Sequence, residues 1–324
     1  MTVFGGSGFV GRHVVRALAQ AGWRVRVATR RPDLAFHLQP LGRVGQVQAV
    51  QANVRFPASI AAALRGAEAA INLVGVLTSG GRQSFDAVHV FGARAIARAA
   101  SQAGVANLVH LSALGADAAS DSAYARSKAE GEAAVLEASP SAVILRPSVV
   151  FGPEDHFFNR FAALARLAPA LPLFGGGHAR LQPVFAGDVA ASAALALDGK
   201  ARAGAIYELG GPEVRSFREL MQFILDTTGR KRLLVPVPFA AAHWMAAAIE
   251  GVDFVSLGLF PPDLLFTRDQ VALLRHDNIV STTAKAEGRT LEGLGLAPST
   301  FESIVPAYLQ RFRATGQFAV QESV

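Results

Sequence analysis

Three side chains in the middle of the chain could move a proton to or from a substrate oxygen: Ser112, Tyr124 and Lys128. Tyr124 and Lys128 are four residues apart, so on a helix they share a face, one turn apart. A lysine ammonium beside a phenol favours the phenolate. The phenol could then exchange a proton with a substrate oxygen while a hydride moves to or from a nicotinamide, and Ser112 would orient that oxygen. We predict these three as catalytic residues.

The Tyr-x-x-x-Lys spacing is common by chance, and a purely structural role for both residues stays open. Its context makes it more specific here. Ser112 follows the apolar run 107–111, a predicted strand, and Tyr124 comes twelve positions later. The chain also opens with a glycine pattern that suits a dinucleotide, so we expect Tyr124 and Lys128 to contact a cofactor as well.

Glycines at positions 5, 8 and 11 lie between a short apolar strand and a helix running to about Ala21. The first would make a tight turn, the second would let the backbone approach a pyrophosphate, and the third would let the helix pack closely. The N–H groups and positive end of that helix would hold the phosphates. A glycine-rich turn without a ligand is the alternative. The predicted contacts along this turn are Gly5, Ser7, Gly8, Phe9, Val10 and Gly11.

Basic residues follow the predicted second strand, 24–28, at Arg30 and Arg31. In NAD-binding folds an acidic residue here accepts hydrogen bonds from the ribose hydroxyls, whereas a guanidinium suits a 2′-phosphate. We therefore predict NADPH or NADP, with Arg30 as first choice and Arg31 as second. The alternative is that both arginines are solvated loop residues that contact no 2′-phosphate. Binding of NAD instead of NADP is therefore left open. Small residues Val74 and Gly75 at the end of the predicted fourth strand, 69–75, would leave room for the cofactor backbone to pass.

Strands and helices alternate along the first half of the chain, which favours an α/β fold. We predict a Rossmann-type doubly wound parallel sheet with a small, mostly helical C-terminal portion. The NAD(P)-binding domain would span 1–152, its sheet completed by about 182–211. The C-terminal lid or docking portion would comprise 153–181 and 212–324. Within it, the apolar segment 233–266 could cover a pocket, dock on a membrane or partner, or pack as ordinary core.

Composition excludes several classes of function. The 324 residues include no cysteine, so disulfides and thiolate metal sites are excluded, and His243 has no second ligand at metal spacing. We therefore expect no metal. The net charge of +6 comes from scattered arginines without a basic tract, so we also expect no nucleic-acid partner. The chain opens directly on its first strand, so we expect no signal peptide and a cytoplasmic location. No run is a clear membrane span.

With these motifs the chain resembles the atypical short-chain dehydrogenase/reductases. Within them it resembles the NADPH-binding accessory subunits of respiratory complex I, the NADH:ubiquinone oxidoreductase. The opening glycine pattern and the run from Tyr124 to Glu132 are generic to the superfamily. The runs Gly152-Pro153-Glu154-Asp155 and Thr267-Arg268-Asp269-Gln270 are more particular. The similarity covers roughly residues 2–280.

The resemblance implies a tightly held NADPH without established turnover, in a protein that helps to assemble or stabilise the complex. It also implies complex I subunits and a membrane surface as partners, with a peripheral location on the cytoplasmic face of the inner membrane. Pro147 and Val150 would lie beside the nicotinamide. Asn53 stands where related folds place an acidic adenine contact, and His89 where the wider family has an Asn.

The alternative is a stand-alone NADP-dependent reductase, epimerase or dehydratase acting on a small carbonyl or sugar-nucleotide substrate. The set of Ser112, Tyr124 and Lys128 favours that alternative, since it could support hydride transfer. An NADP(H)-sensing regulator without chemistry is a third possibility. Whether the chain is an enzyme is therefore left open by the sequence.

Overall fold

The structure is a computed structural model that describes residues 1–81, 83–255 and 266–313. Its strands are β1 Thr2–Phe4, β2 Val25–Thr29, β3 Val47–Gln51, β4 Ala69–Asn72, β5 Asn107–Leu111, β6 Val143–Pro147, β7 Val150–Phe151, β8 Ala170–Phe174, β9 Arg180–Leu181, β10 Val184–Phe185, β11 Ile206–Leu209, β12 Arg215–Ser216 and β13 Leu233–Val237. Its helices are α1 Phe9–Gln20, α2 Pro57–Leu64, α3 Gly92–Gln102, α4 Ala123–Ala138, α5 Phe158–Leu167, α6 Ala186–Leu197, α7 Phe217–Thr228, α8 Phe239–Val255, α9 Arg268–Leu273, α10 Thr282–Ala286 and α11 Phe301–Leu309.

The chain divides into two compact units. The first comprises Met1–Ser148, Ala186–Gly210 and Val280–Pro298. The second comprises Val149–Phe185, Gly211–Ile279 and the residues from Ser299 onward. The sequence analysis assigned 280–298 to the C-terminal portion, whereas here that stretch groups with the first unit. Glu208 on β11 accepts a hydrogen bond from the Ser281 N–H at 2.7 Å, which ties the returning segment to the sheet.

In the described part of the chain, the first unit forms a seven-stranded sheet in the order β11-β6-β5-β4-β1-β2-β3. Every neighbouring pair is parallel. The strand order reverses direction between β1 and β4, and open sheets of this kind bind ligands at the carboxyl ends of the strands at such a reversal. The predicted doubly wound Rossmann-type fold is therefore confirmed.

Successive residues of β1 point to opposite faces of the sheet, which packs helices on each face. Phe4 lies in a buried cluster with Ile60 of α2 and Ile96 of α3. Val3 is fully buried, as are Val14 and other residues on the inner face of α1. The apolar spacing of Val88, Phe91, Ile96 and Ala99 predicts one continuous helix over 85–103. The structure instead forms a π-helical turn, Asp86–Phe91, immediately before α3.

The second unit has an aromatic core that includes Phe158, Phe161, Phe217 and Phe301. Short strand pairs accompany its helices: β7 with β10, β9 with β12, and β8 with β13. The mostly helical character expected of the C-terminal portion is thus confirmed, with short strand pairs beside the helices. None of the helices among the described residues combines the length and apolarity needed to cross a bilayer.

The structure describes only part of the predicted apolar segment 233–266. It forms β13 and α8, and residues 256–265 lie outside the described residues. Ala242 and Ala246 bury one side of α8, while Trp244 is 76% exposed. The spacing of Phe301, Ile304, Tyr308 and Phe312 predicts one amphipathic helix over 300–314, followed by a loose tail after Thr315. The structure has α11 and then a 3₁₀ turn, Gln310–Phe312. The tail lies outside the described residues.

Candidate functional site

The glycine turn after β1 has the backbone geometry that only glycine tolerates well. Gly5 has a φ of +80°, in the left-handed region. A Cβ placed on it would lie 3.0 Å from the carbonyl carbon of Leu73 and from the Val74 nitrogen, at the end of β4. The Gly8 N–H donates to the Gly5 carbonyl at 3.1 Å and closes the turn. The turn therefore brings the ends of β1 and β4 together.

The other two glycines of the pattern differ in what surrounds them. A Cβ on Gly11 would lie 2.3 Å from the Gly5 oxygen and 2.7 Å from the backbone of Gly6, so α1 can pack on the turn only with glycine here. A Cβ on Gly8 would meet only the Gly5 oxygen, at 3.4 Å. Gly11 thus serves close packing against the turn, whereas Gly8 borders open space.

The start of α1 suits an anion. Gly8 is the N-cap residue, it supplies no side-chain cap, and the first turn contains no acidic residue. The helix is 12 residues long, so its aligned peptide dipoles place partial positive charge at this end. Ser7, Phe9 and Val10 lie at this helix start, and their contact with a pyrophosphate stays a prediction. The arrangement fits a phosphate group.

The two arginines after β2 are not equivalent. Arg31 binds Asp33 through two nitrogens, at 2.7 and 3.0 Å, so its charge already has a partner. Arg30 is exposed, and within the described chain no hydrogen bond or ion pair engages its side chain. Arg30 is therefore the better placed of the two to bind a 2′-phosphate.

Asn53 follows β3 in a locally hydrogen-bonded turn. Its Oδ1 accepts from the Arg55 N–H at 3.1 Å, and its own N–H donates to the Ser59 hydroxyl at 3.0 Å. The turn holds the side chain in one orientation while the amide nitrogen can still donate. Asn53 can therefore donate a hydrogen bond to an acceptor nitrogen of adenine; contact with the adenine amine stays a prediction.

Ser112 is a buried hydroxyl that has no hydrogen-bond partner among the described residues. Its side chain is 4% exposed, and its N–H donates to the Leu145 carbonyl at 2.7 Å, so strand pairing fixes the backbone. Leaving a buried hydroxyl unsatisfied costs about 1–3 kcal/mol. A ligand oxygen beside Ser112 would satisfy it, which fits the predicted role of orienting a substrate or cofactor group.

Lys128 is tied to the strand end that carries Ser112. Its Nζ donates to the Leu111 carbonyl at 3.0 Å, and the residue is 5% exposed. Burial lowers the pKa of Lys128 to about 8, and Glu132 acts in the opposite direction. A Cβ on Gly75 would lie 3.8 Å from Nζ. The structure thus brings Lys128, Gly75 and the end of β5 together.

Tyr124 lies in the first turn of α4. The Ser122 hydroxyl caps that helix by accepting from the Ala125 N–H at 3.2 Å, which sets where the helix begins. The half-buried tyrosine ring lies 5.8 Å from the Phe85 ring and 5.5 Å from the His89 ring, edge to face in both cases. Aromatic packing therefore orients the phenol.

His89, which the sequence analysis noted only as a departure from the wider family, lies at the centre of a hydrogen-bond chain. Its Nε2 accepts from the Val76 N–H at 3.0 Å, so Nδ1 carries the proton and donates to Ser127 Oγ at 2.9 Å. Ser127 in turn donates to the Tyr124 carbonyl at 2.8 Å. Burial and then the Lys128 charge lower the pKa of His89 to about 3, so it is neutral.

A second buried histidine supports the end of β4. His110 Nδ1 lies 3.0 Å from Asn72 Nδ2, and Asn72 Oδ1 accepts from the Val74 N–H at 3.0 Å. Burial, then the charge of Lys128, lowers the pKa of His110 to about 3. Sequence reasoning missed Ser127, Phe85 and this histidine–asparagine pair, since each acts through partners distant in the chain.

The last two predicted contacts fall in different units. Pro147 ends β6 in the first unit, and its carbonyl accepts from the Leu114 N–H at 2.8 Å. Val150 belongs to the second unit, where β7 pairs with β10. All the other predicted site residues lie in the first unit, and most of them follow the carboxyl ends of its parallel strands. Among the described residues there is no group of acidic residues and histidines arranged to hold a metal ion.

The runs most particular to the resemblance have structural roles inside the second unit. Asp155 accepts from the Tyr308 hydroxyl at 2.5 Å and from the Phe157 N–H at 2.9 Å, so it ties its loop to α11. Arg160 donates to Gln270 at 3.1 Å and lies 3.8 Å above the Phe266 ring. These runs hold the second unit together.

The chain is similar to the mitochondrial NADH dehydrogenase (ubiquinone) 1 alpha subcomplex subunit 9 of Arabidopsis thaliana, with 35% identity over 97% of this chain and 78% of that protein. It is 40% identical to ceramide reductase of Caulobacter vibrioides over 53% of each protein.

Among solved structures, the NADPH-dependent quinone oxidoreductase QOR2 of Escherichia coli, complexed with NADPH, matches with a TM-score of 0.73 and 19% identity. The match covers 95% of this chain and 99% of that one, and it shows the shared fold. Residues 1–210 match the NAD dependent epimerase/dehydratase family. The chain belongs to the NAD dependent epimerase/dehydratase family.

Proposed function

We propose that this protein is an accessory subunit of respiratory complex I that holds NADPH as a structural cofactor. The observation that carries the proposal is the similarity over 97% of the chain to a complex I subunit. The glycine turn and the uncapped start of α1 support the cofactor part of the proposal, because both suit a pyrophosphate.

Most of the proposed binding residues follow the carboxyl ends of the parallel strands of the first unit. The backbone from Gly5 to Gly11 binds the pyrophosphate, and Val74 and Gly75 line the passage beside it. Asn53 contacts adenine. Pro147 in the first unit, and Val150 in the second, are proposed contacts for the nicotinamide end.

NADP(H) rather than NAD(H) is part of the proposal. Arg30 is exposed, and no carboxylate in the described chain neutralises it, so it can form a charge-assisted hydrogen bond with a 2′-phosphate. Arg31 contributes less, because Asp33 already binds its guanidinium. Peripheral association with the cytoplasmic face of the inner membrane completes the proposal.

Purification of the tagged full-length chain from membranes of its native organism tests the assignment. We expect complex I subunits to co-purify in fixed ratio and NADPH to be released when the sample is denatured. The matched control is Gly8→Ala, which we expect to reduce the nucleotide content while the chain still folds. Recovery of the wild-type chain alone, in the soluble fraction, would contradict the proposal.

A specific observation favours a second candidate function, reduction of a carbonyl substrate. Ser112, Tyr124 and Lys128 are all present, and the Ser112 hydroxyl is buried with no partner in the described chain. The bacterial relative at 40% identity is a reductase. A bound nicotinamide would supply the hydride, Tyr124 the proton, Lys128 the positive charge that favours the phenolate, and Ser112 a hydrogen bond to the substrate oxygen.

NADPH oxidation by the purified chain, measured with a panel of lipid ketones, small ketones and keto-sugar nucleotides, tests this second candidate. Turnover that Tyr124→Phe abolishes, while NADPH affinity stays the same, would establish it. NADPH bound tightly with no oxidation across the panel supports the structural role instead.

A further inference from the structure

The second unit carries a cluster of cations, which we call the basic patch: Arg166, Arg230, Lys231, Arg232 and Arg313. Three of them donate hydrogen bonds to carbonyl groups at the ends of different elements. Arg232 donates to the Ala165 carbonyl in the last turn of α5 at 2.8 Å, and Arg313 to the Thr227 carbonyl near the end of α7 at 3.2 Å. Arg230 donates to the Phe312 carbonyl at 2.7 Å.

Cations at the C-terminal ends of helices are favourable, since the helix dipole is negative there, and that accounts for part of the cluster. It does not account for the whole cluster. Lys231 and Arg166 make no such bond in the described chain, and both are exposed. Burial, and then the charges of Arg232 and Arg166, lower the pKa of Arg230, so these three cations lie close enough to repel one another.

Within the described part of the chain, no carboxylate neutralises the basic patch through an ion pair. None of the five cations forms an ion pair with a carboxylate there, although other arginines such as Arg146 and Arg180 do. Uncompensated like charges repel one another, so an external anionic surface would relieve the patch.

Exposed leucines lie among the cations. Leu167, next to Arg166, is 64% exposed, and Leu233, next to Arg232, is 71% exposed. The two belong to the same edge, because the Leu233 N–H donates to the Pro169 carbonyl at 3.3 Å. An acidic protein would engage the cations but gives no reason for two exposed leucines between them. A bilayer explains both, since leucines enter the interface while basic side chains reach the headgroups.

We propose that the basic patch, together with Leu167 and Leu233, docks the protein on an anionic lipid bilayer. The inference rests on the peripheral membrane location proposed above, and it assigns that location to one surface of the second unit. The cations provide attraction that salt screens, and the leucines provide attraction that salt does not weaken.

Vesicle co-sedimentation of the full-length chain tests the proposal. We expect binding to phosphatidylcholine vesicles containing phosphatidylglycerol, no binding to phosphatidylcholine alone, and release in high salt. Arg166→Gln combined with Lys231→Gln removes two exposed cations that cap no carbonyl, and should weaken binding roughly 25-fold, about fivefold for each. Lys200→Gln with Lys285→Gln, exposed lysines of the first unit, is the matched control.

Two further results bear on the choice of partner. Leu167→Ser with Leu233→Ser should weaken vesicle binding and leave its salt dependence unchanged. Polyglutamate that binds as tightly as the vesicles, with no effect of the leucine changes, would overturn the proposal in favour of an acidic protein. Absent vesicle binding, or binding unchanged in the Arg166→Gln, Lys231→Gln variant, would also overturn it. Co-purification of complex I subunits with the wild-type chain is measured separately, so the two proposals can fail independently.

Discussion

His89 Nδ1 donates a hydrogen bond to Ser127 Oγ at 2.9 Å, which joins the π-helical turn before α3 to the helix that carries Tyr124 and Lys128. The other ring nitrogen accepts from the Val76 N–H, so one neutral imidazole connects the loop after β4 to α4. π-Helical turns often occur at functional sites. Here the turn places the His89 ring beside the Tyr124 ring, where the imidazole can hold the phenol in position.

Replacing this imidazole should separate a loss of hydrogen bonds from a loss of volume. His89→Leu removes the acceptor of the Val76 N–H and the donor to Ser127 Oγ, and should lower the free energy of unfolding by about 2–4 kcal/mol. His89→Gln offers both an acceptor and a donor and should recover most of that loss. Urea unfolding at neutral pH measures both, with exposed His37→Leu as control. Equal losses for the Leu and Gln variants would contradict the bridging role.

Acid should destabilise the protein through its two buried histidines. Burial lowers the pKa of His89 and His110 from 6.5 to about 3. Between these values the unfolded chain binds protons that the folded chain does not, so the free energy of unfolding falls as the pH falls below 6.5. The expected slope is about 1.4 kcal/mol per pH unit for each histidine.

Urea unfolding measured between about pH 5 and pH 7 tests this dependence. His110→Gln should flatten the curve, since the variant has lost one of the two groups. Burial raises the pKa of Asp155, so that carboxyl acts in the opposite sense at lower pH and is unchanged in the comparison. A variant whose stability falls as steeply with acid as the wild type would refute this assignment.

Two glycines of the opening turn should respond differently to the same added methyl group. Gly11→Ala would place Cβ 2.3 Å from the Gly5 oxygen, so α1 must move and the protein should lose several kcal/mol of stability. Gly8→Ala meets only one atom, at 3.4 Å, so the fold should survive. We expect Gly8→Ala to weaken NADPH binding at least tenfold while its melting temperature stays near that of the wild type. Unchanged affinity would mean that the cofactor does not approach Gly8.

Removing Arg30 should abolish the preference for a phosphorylated cofactor. One charge-assisted hydrogen bond contributes about 1.5–3 kcal/mol, or roughly 10- to 150-fold in affinity. Arg30→Gln should therefore weaken NADPH binding by that factor and leave NADH binding unchanged. Arg31→Gln should have a smaller effect, because Asp33 already binds that side chain. Fluorescence titration of each variant with both cofactors measures the two ratios; an Arg31 effect larger than the Arg30 effect would reverse the assignment.

The sequence predicted those parts of the fold that local pattern determines. The strand before Gly5 and a helix to about Ala21 correspond to β1 and to α1, which ends at Gln20. Hydrophobic periodicity and turn chemistry depend on residues that are close in the chain, so they can be recognised from the sequence alone. Aspartate is a typical N-cap residue, so the sequence predicts that Asp188 starts the helix running to Leu197; this is wrong, because α6 already begins at Ala186.

Contacts between distant segments were not predictable in the same way. A π-helical turn has nearly the same apolar spacing as an α-helix, so nothing in 85–103 distinguished Asp86–Phe91. The bond from His89 to Ser127 and the return of 280–298 to the first unit depend on pairings across the fold. The run Gly152–Asp155 was recognised only from the resemblance. The hydrogen bond from the Tyr308 hydroxyl to Asp155 explains physically what the run does.

Calorimetric titration of the purified full-length chain with NADPH and with NADH tests the central claim most directly. We expect one NADPH per chain, bound at least tenfold more tightly than NADH, and binding at least tenfold weaker in Gly8→Ala. Equal affinities for the two cofactors, or no binding of either, would contradict it.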